Sequence, residues 1–303
     1  MSIATIVKAY LRTWAEWYVH IVLVVCRTSR AWWTALSPNS PVMISTAKYN
    51  TFGQLLTLYQ PNGPVSKTIA TRPAILMVHG GAWTLGIGSR FDFASHCLYL
   101  VRQGYTVATV SYRLLPKHPY PAAYNDLCDA VGWLSHSLGK PVLLMGHSAG
   151  GHLSLLVGLR DTQLSIAGVV SLSAPTDLSA LLPVIEVEKR MFLRGTRPED
   201  ASPAFYAQSL LGQPCDGLPP FYIFHGDRDV VVPLSQAQAF VDLLRSAGAR
   251  VHFHVMEGVG HWFPFVSENN LGVVDAVLEE IFSTIFPSPS ILHLEAPLNI
   301  SLL

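Results

Sequence analysis

One stretch constrains the chain more than any other: Pro141-Val142-Leu143-Leu144-Met145-Gly146-His147-Ser148-Ala149-Gly150-Gly151-His152-Leu153. Its apolar opening reads as a strand buried on both faces, since such strands carry continuous rather than alternating apolar residues. Leu153, Leu155, Leu156 and Val157 then follow at helical spacing. Between the two lies Gly146-x-Ser148-x-Gly150, a serine on a sharp strand-to-helix turn. This is the nucleophile-elbow pattern, in which glycines remove the Cβ atoms that would collide where strand and helix cross. A Gly-Ser turn in an ordinary loop would lack the flanking strand and helix. The pattern therefore marks Ser148 as a nucleophile, presented at the N-terminus of the helix that follows it.

The rest of the chain supplies the fold that such an elbow needs. Segments 42–48, 54–59, 74–78, 105–112, 167–171, 221–224 and 251–255 read as further strands. Helical patterns cover 91–102, 122–138, 234–246 and 271–286. Strands alternating with helices predict an α/β fold, a mostly parallel central sheet with helices on both faces. Residues 177–218 interrupt that rhythm and predict a small cap inserted after a strand. With 303 residues, half of them hydrophobic, the chain can bury one large core. The division expected is an N-terminal segment over 1–37, a catalytic domain over 38–286 and a C-terminal tail over 287–303.

Charge narrows the function. Twenty basic and twenty acidic residues balance, and no basic run or phosphate-binding glycine loop is present, so nucleic acid is not an expected partner. Cys26, Cys97, Cys128 and Cys215 are widely spaced, without metal-ligand spacing, and read as reduced thiols in a cytoplasmic protein. Between Ile3 and Val25 apolar and aromatic residues recur at helical intervals, interrupted by Lys8, Arg12, Glu16 and His20. Its uninterrupted apolar part is too short to span a bilayer. Docking over the catalytic domain, peripheral attachment to a membrane surface, and a cleaved or spanning segment are the readings open for it.

A serine nucleophile needs a base, and the base needs an acid to orient it. After the strand at 221–224 two acids compete, Asp227 and Asp229, either of which could instead cap a turn. After the strand at 251–255, His261 stands in the glycine-rich Glu257-Gly258-Val259-Gly260-His261-Trp262 loop. Chain order serine, acid, histidine suits an elbow-bearing α/β enzyme. The main-chain N–H of Ala149 and the Gly80-Gly81-Ala82 loop after the strand at 74–78 are candidates to hold a developing oxyanion.

Three stretches together, His79-Gly80-Gly81-Ala82-Trp83, Tyr112-Arg113-Leu114-Leu115-Pro116-Lys117-His118-Pro119-Tyr120-Pro121-Ala122-Ala123 and Gly146-His147-Ser148-Ala149-Gly150-Gly151, resemble the α/β-hydrolase superfamily. The branch they resemble is that of the esterases grouped with hormone-sensitive lipase. The resemblance implies the α/β-hydrolase fold with a small cap, an oxyanion hole at Gly80, Gly81, Ala82 and Ala149, and a triad of Ser148, Asp229 and His261. Asp229 is selected because His225 to Pro233 matches the family's His-Gly-x-x-Asp-x-x-Val-Pro, which leaves Asp227 as a turn residue. Ala82, where many members carry a third glycine, and Lys117, where many carry Glu, depart from the pattern. The implied function is a serine carboxylesterase acting on a small or medium uncharged ester, with no metal or cofactor. The same triad serves a kynurenine-formamidase-like amide hydrolase or an acyltransferase. A ligand receptor on the same fold is the alternative of another class. The plant gibberellin receptor, which resembles this branch, lacks the histidine that stands here at 261. Sequence leaves the oligomeric state open.

Overall fold

The computed structural model describes residues 40–65, 67–85, 88–180 and 185–263. The N-terminal stretch, the helix expected at 271–286 and the C-terminal tail lie outside the described residues. Within them the chain forms an eight-stranded sheet. Its strands are β1 (Val42–Lys48), β2 (Leu55–Pro61), β3 (Ala74–Val78), β4 (Val107–Val110), β5 (Val142–His147), β6 (Ile166–Leu172), β7 (Phe221–Gly226) and β8 (Val251–Met256). They lie in the order β1-β2-β4-β3-β5-β6-β7-β8. β2 pairs antiparallel with β1 and β4, and every pairing from β4 through β8 is parallel. β5, the strand leading into the elbow, sits in the interior of the sheet and is buried along its whole length.

Alternate residues of the strands feed two separate cores. Leu76, Val78, Leu144, Val169 and Ile223 face one side. There they meet Leu127 and Leu134 of α3 (Ala122–Leu138), Leu153 and Val157 of α4 (Ala149–Arg160), and Phe240 and Leu244 of α7 (Leu234–Ser246). Ile75, Met77, Leu143, Met145, Val170 and Phe224 face the other, against Cys97, Leu98 and Val101 of α2 (Ala94–Arg102) and against Trp262. A short α1 (Lys67–Ala70) precedes β3. The predicted α/β fold, a mostly parallel sheet covered on both faces, is the observed one.

Two elements are markedly shorter than the sequence expectation for local reasons. The helix read from Phe91 begins at Ala94, because Asp92 accepts hydrogen bonds from the Ser89 N–H and hydroxyl and holds a turn there. The strand read over 105–112 pairs only through Val107–Val110. Beyond it the Ser111 hydroxyl donates to Leu55 O and the Tyr112 hydroxyl to His79 O. The described part of the expected cap holds α5 (Glu186–Leu193), a 3-10 turn at Pro198–Ala201 and α6 (Pro203–Ser209), the last opened by a proline at its first position.

Candidate active site

The elbow is built by backbone that only bare glycines permit. A Cβ on Gly146 would lie 2.3 Å from Gly150 O, and one on Gly150 would lie 2.2 Å from Val78 O. Strand β5, helix α4 and strand β3 therefore cross at distances that exclude any side chain. Between them Ser148 adopts a φ of 51° and a ψ of −120°, a sparsely populated backbone region that costs a non-glycine residue about 1–3 kcal/mol. Its N–H donates to Leu172 O at the end of β6, which helps to hold the strained turn. Such strain persists where the surrounding structure over-determines it, and here it turns the hydroxyl out of the sheet.

Ser148 Oγ lies 2.9 Å from Nε2 of His261, and Nδ1 of that ring lies 2.8 Å from Oδ2 of Asp229. A carboxylate accepts only, so the Nδ1 hydrogen points at Asp229 and leaves Nε2 free to accept the serine proton. These three residues come from the ends of β5, β7 and β8, the carboxyl edge where groups of parallel sheets converge. His261 is 1% exposed and the Asp229 side chain is fully covered, whereas Ser148 is 9% exposed, so the serine is the member that reaches outward.

Asp229 is saturated with donors. Oδ1 accepts the N–H groups of Val231 and Val232, both at 2.8 Å, while Oδ2 accepts from His261 and lies 3.3 Å from Nε2 of His225. Burial would raise its pKa, but the imidazole of His261 and the hydrogen bonds from His225 and His261 outweigh it. The carboxyl is held well below the usual carboxylate range. Asp227, the competing acid, is exposed and accepts the Gly258 N–H at 2.7 Å. It closes a turn and does not approach His261.

The glycine loop after β3 lies against the elbow. A Cβ on Gly80 would stand 3.2 Å from Ser148 Cβ, so main chain approaches the serine there as only glycine allows. Ala82 has a φ of 48° and Trp83 one of 59°, and the alanine that departs from the family pattern thus keeps the left-handed backbone that a glycine would adopt freely. Among the described residues no acceptor takes the N–H of Gly81, Ala82 or Ala149. The loop is braced from outside by the second sequence stretch. Tyr112 stacks on His79 at 4.4 Å, and Leu115 N–H donates to Trp83 O.

Three features were not legible as site residues in the sequence. Nε2 of His147, next to the serine, donates to His261 O at 2.9 Å and ties the His261 backbone to the elbow. Nε2 of His225 donates to Val232 O at 2.8 Å as well as facing Asp229. His152, one turn beyond Ser148, donates from Nε2 to Ala201 O in the 3-10 turn at 2.7 Å, and Trp83 stacks on Phe192 of α5 at 4.3 Å. The glycine loop after β3, the elbow helix and the segment from α5 to the 3-10 turn thus share one buried cluster. The only signal in the sequence was the position of each histidine inside a motif, since the partners lie 114, 7 and 49 residues away.

Among the described residues no three His, Cys, Asp or Glu side chains group as a metal site, and no helix is long and apolar enough to cross a membrane. Cys97, Cys128 and Cys215 are free thiols.

Known proteins place this arrangement. The chain is 27% identical to the esterase LipC of Mycobacterium tuberculosis, over 68% of this chain and 57% of that protein. It is 25% identical to the isoprenylcysteine alpha-carbonyl methylesterase of Arabidopsis thaliana, over 76% of this chain and 58% of that one. It spans little more than half the length of these curated relatives. Among solved structures, esterase 2 of Thermogutta terrifontis phosphonylated by sarin superposes with a TM-score of 0.67 at 25% identity, over 80% of this chain and 95% of that one. Esterase B of Lactobacillus rhamnosis shares the fold, with a TM-score of 0.69 at 21% identity over 93% and 95% of the two chains. The family described as alpha/beta hydrolase fold matches residues 75–265, which include the glycine loop, the elbow, Asp229 and His261, and the chain belongs to that family.

Proposed function

We propose that the protein is a serine carboxylesterase that cleaves small or medium uncharged esters through an acyl-enzyme on Ser148. The observation that carries this reading is the continuous chain from Ser148 Oγ through His261 to Asp229, at 2.9 and 2.8 Å. As Oγ attacks the acyl carbon, its proton passes to Nε2 of His261, and Asp229 stabilises the resulting imidazolium. The carbonyl oxygen becomes an oxyanion, for which the N–H groups of Ala149 and of the Gly80-Gly81-Ala82 loop are the donors. Collapse of the intermediate expels the alcohol, which takes the proton back from His261. Water then attacks the acyl-enzyme, delivering one proton to His261, and Ser148 recovers it as the carboxylic acid leaves. The esterase names of the relatives support this reading, as does the covalently inhibited esterase of similar structure.

A fluorophosphonate probe with mass-spectrometric mapping tests the nucleophile, and labelling should disappear in Ser148→Ala. A series of p-nitrophenyl esters of rising chain length, run beside an N-formyl arylamine, tests the substrate class. Faster turnover of the formamide would replace the ester reading with an amidase. Peripheral attachment to a membrane surface of a cytoplasmic enzyme, through residues 3–25, is part of the same proposal. Flotation with lipid vesicles tests it.

A further inference from the structure

His225 is buried at the end of β7, and all its polar contacts run through one nitrogen. Nε2 faces the carbonyl oxygen of Val232 at 2.8 Å, so the hydrogen sits on Nε2, and the same hydrogen looks toward Oδ2 of Asp229 at 3.3 Å. Nδ1 has no partner among the described residues. The ring therefore spans the loop from 226 to 233 on the inside, clamping its far end while touching the carboxylate held in its middle.

Asp229 needs that clamp. It has four acceptor sites, and the two on Oδ1 are taken by the N–H groups of Val231 and Val232. His261 takes one site on Oδ2. His225 is the group left to face the other. The remaining ionisable groups of these loops do not reach it: Asp227 turns outward onto the Gly258 N–H, and Arg228 and Glu257 are exposed. Taken with the esterase reading above, on which this rests, we propose that His225 is a positioning residue for the acid. Its Nε2–H fixes the Asp229 carboxylate in line with His261 and shares its charge.

Two consequences separate this role from mere packing. First, the Nε2 position matters and the ring does not. In His225→Gln the side-chain amide nitrogen reaches the place of Nε2, whereas in His225→Asn it falls short, at the place of Nδ1. Second, an Asp229 carboxylate relieved of its second imidazole holds the proton on His261 more firmly, so the base stays protonated to higher pH.

The experiment compares wild type, His225→Gln and His225→Asn for kcat and KM on a p-nitrophenyl ester, for the pH profile of kcat/KM, and for the rate of fluorophosphonate labelling at Ser148. The Asn variant should lose about tenfold to a hundredfold in kcat with KM little changed, the scale of a misaligned catalytic group. Its acid limb should move up by roughly half a pH unit or more. The Gln variant should keep the wild-type limb and most of the rate. Equal behaviour of the two amides, or an unmoved acid limb in a folded Asn variant, would overturn the role of His225 while leaving the esterase reading intact. A wild-type protein that neither turns over esters nor labels at Ser148 would overturn both. Should His225→Asn be insoluble, the limb of His225→Gln decides alone: a shifted limb despite a retained amide donor refutes the positioning role.

Discussion

At the scale of single residues the site is a matter of which side chain owns which hydrogen bond. Asp227 and Asp229 are two residues apart and chemically identical, yet their surroundings assign them opposite work. Asp229 is covered, holds four donors and faces His261, while Asp227 is exposed and holds a turn through the Gly258 N–H. Asp229→Asn should therefore stay folded and lose turnover by about ten-thousandfold, because an amide presents a donor where the imidazole needs an acceptor. Asp227→Asn keeps an oxygen for Gly258 and should lose little. Parallel measurement of kcat and of thermal melting on both variants checks the pair, and the reverse ranking would reassign the acid. The serine and the histidine were legible in sequence because glycines and strand ends flank them. The choice between the acids was not, without the family pattern, because it depends on which carboxylate the loop turns inward.

At the scale of elements, the elbow shows how far local sequence reaches. Strand β5, the glycines and helix α4 could be read from thirteen consecutive residues because their geometry is set among themselves and one neighbour, β3. Residues 177–218, expected as a cap, could be read only as a break in the rhythm, since α5, the 3-10 turn and α6 are short and owe their positions to distant partners. Phe192 leans on Trp83, and Ala201 receives His152. Two glycine substitutions separate these kinds of constraint. In Gly150→Ala the new methyl meets Val78 O at 2.2 Å, backbone that cannot swing away, and should destabilise by about 3 kcal/mol or more. In Gly132→Ala, within α3, the nearest atom is Leu164 Cδ2 at 3.8 Å, an ordinary contact. There the gain in helix propensity should stabilise by about 1 kcal/mol, or roughly 2–4 °C in Tm. Urea unfolding of both variants reads the difference. A Gly150→Ala protein as stable as wild type would mean that the crossing of β3 and α4 is looser than its glycines imply.

Across the whole molecule, the histidines that brace the site also tie stability to pH. His79 and His152 are buried, and burial lowers both to about 4 from an ordinary value of 6.5. The unfolded chain therefore takes up a proton at each position as the pH falls below 6.5, while the folded protein does not until about 4. Folding stability is thus complete above pH 6.5 and declines down to about 4. The slope is about 1.4 kcal/mol per pH unit for each histidine. Asp92 opposes them in part. Burial raises it to about 6, so it favours the folded state at low pH and loses that contribution as the pH rises, offsetting one of the two histidines below pH 6. The net expectation is a loss of several kcal/mol between pH 7 and 4.5, of which His152 supplies a separable share. Its Nε2–H bonds Ala201 O, a contact that the amide of His152→Gln can reproduce without titrating. The variant loses the ring packed edge-on against Trp83 and Phe192, so its stability at neutral pH should fall. Its dependence on pH should nonetheless be flatter than that of wild type. Urea midpoints at pH 7.5, 6 and 4.5 give the two slopes, and parallel slopes would mean that His152 is protonated in the folded protein as readily as in the unfolded chain.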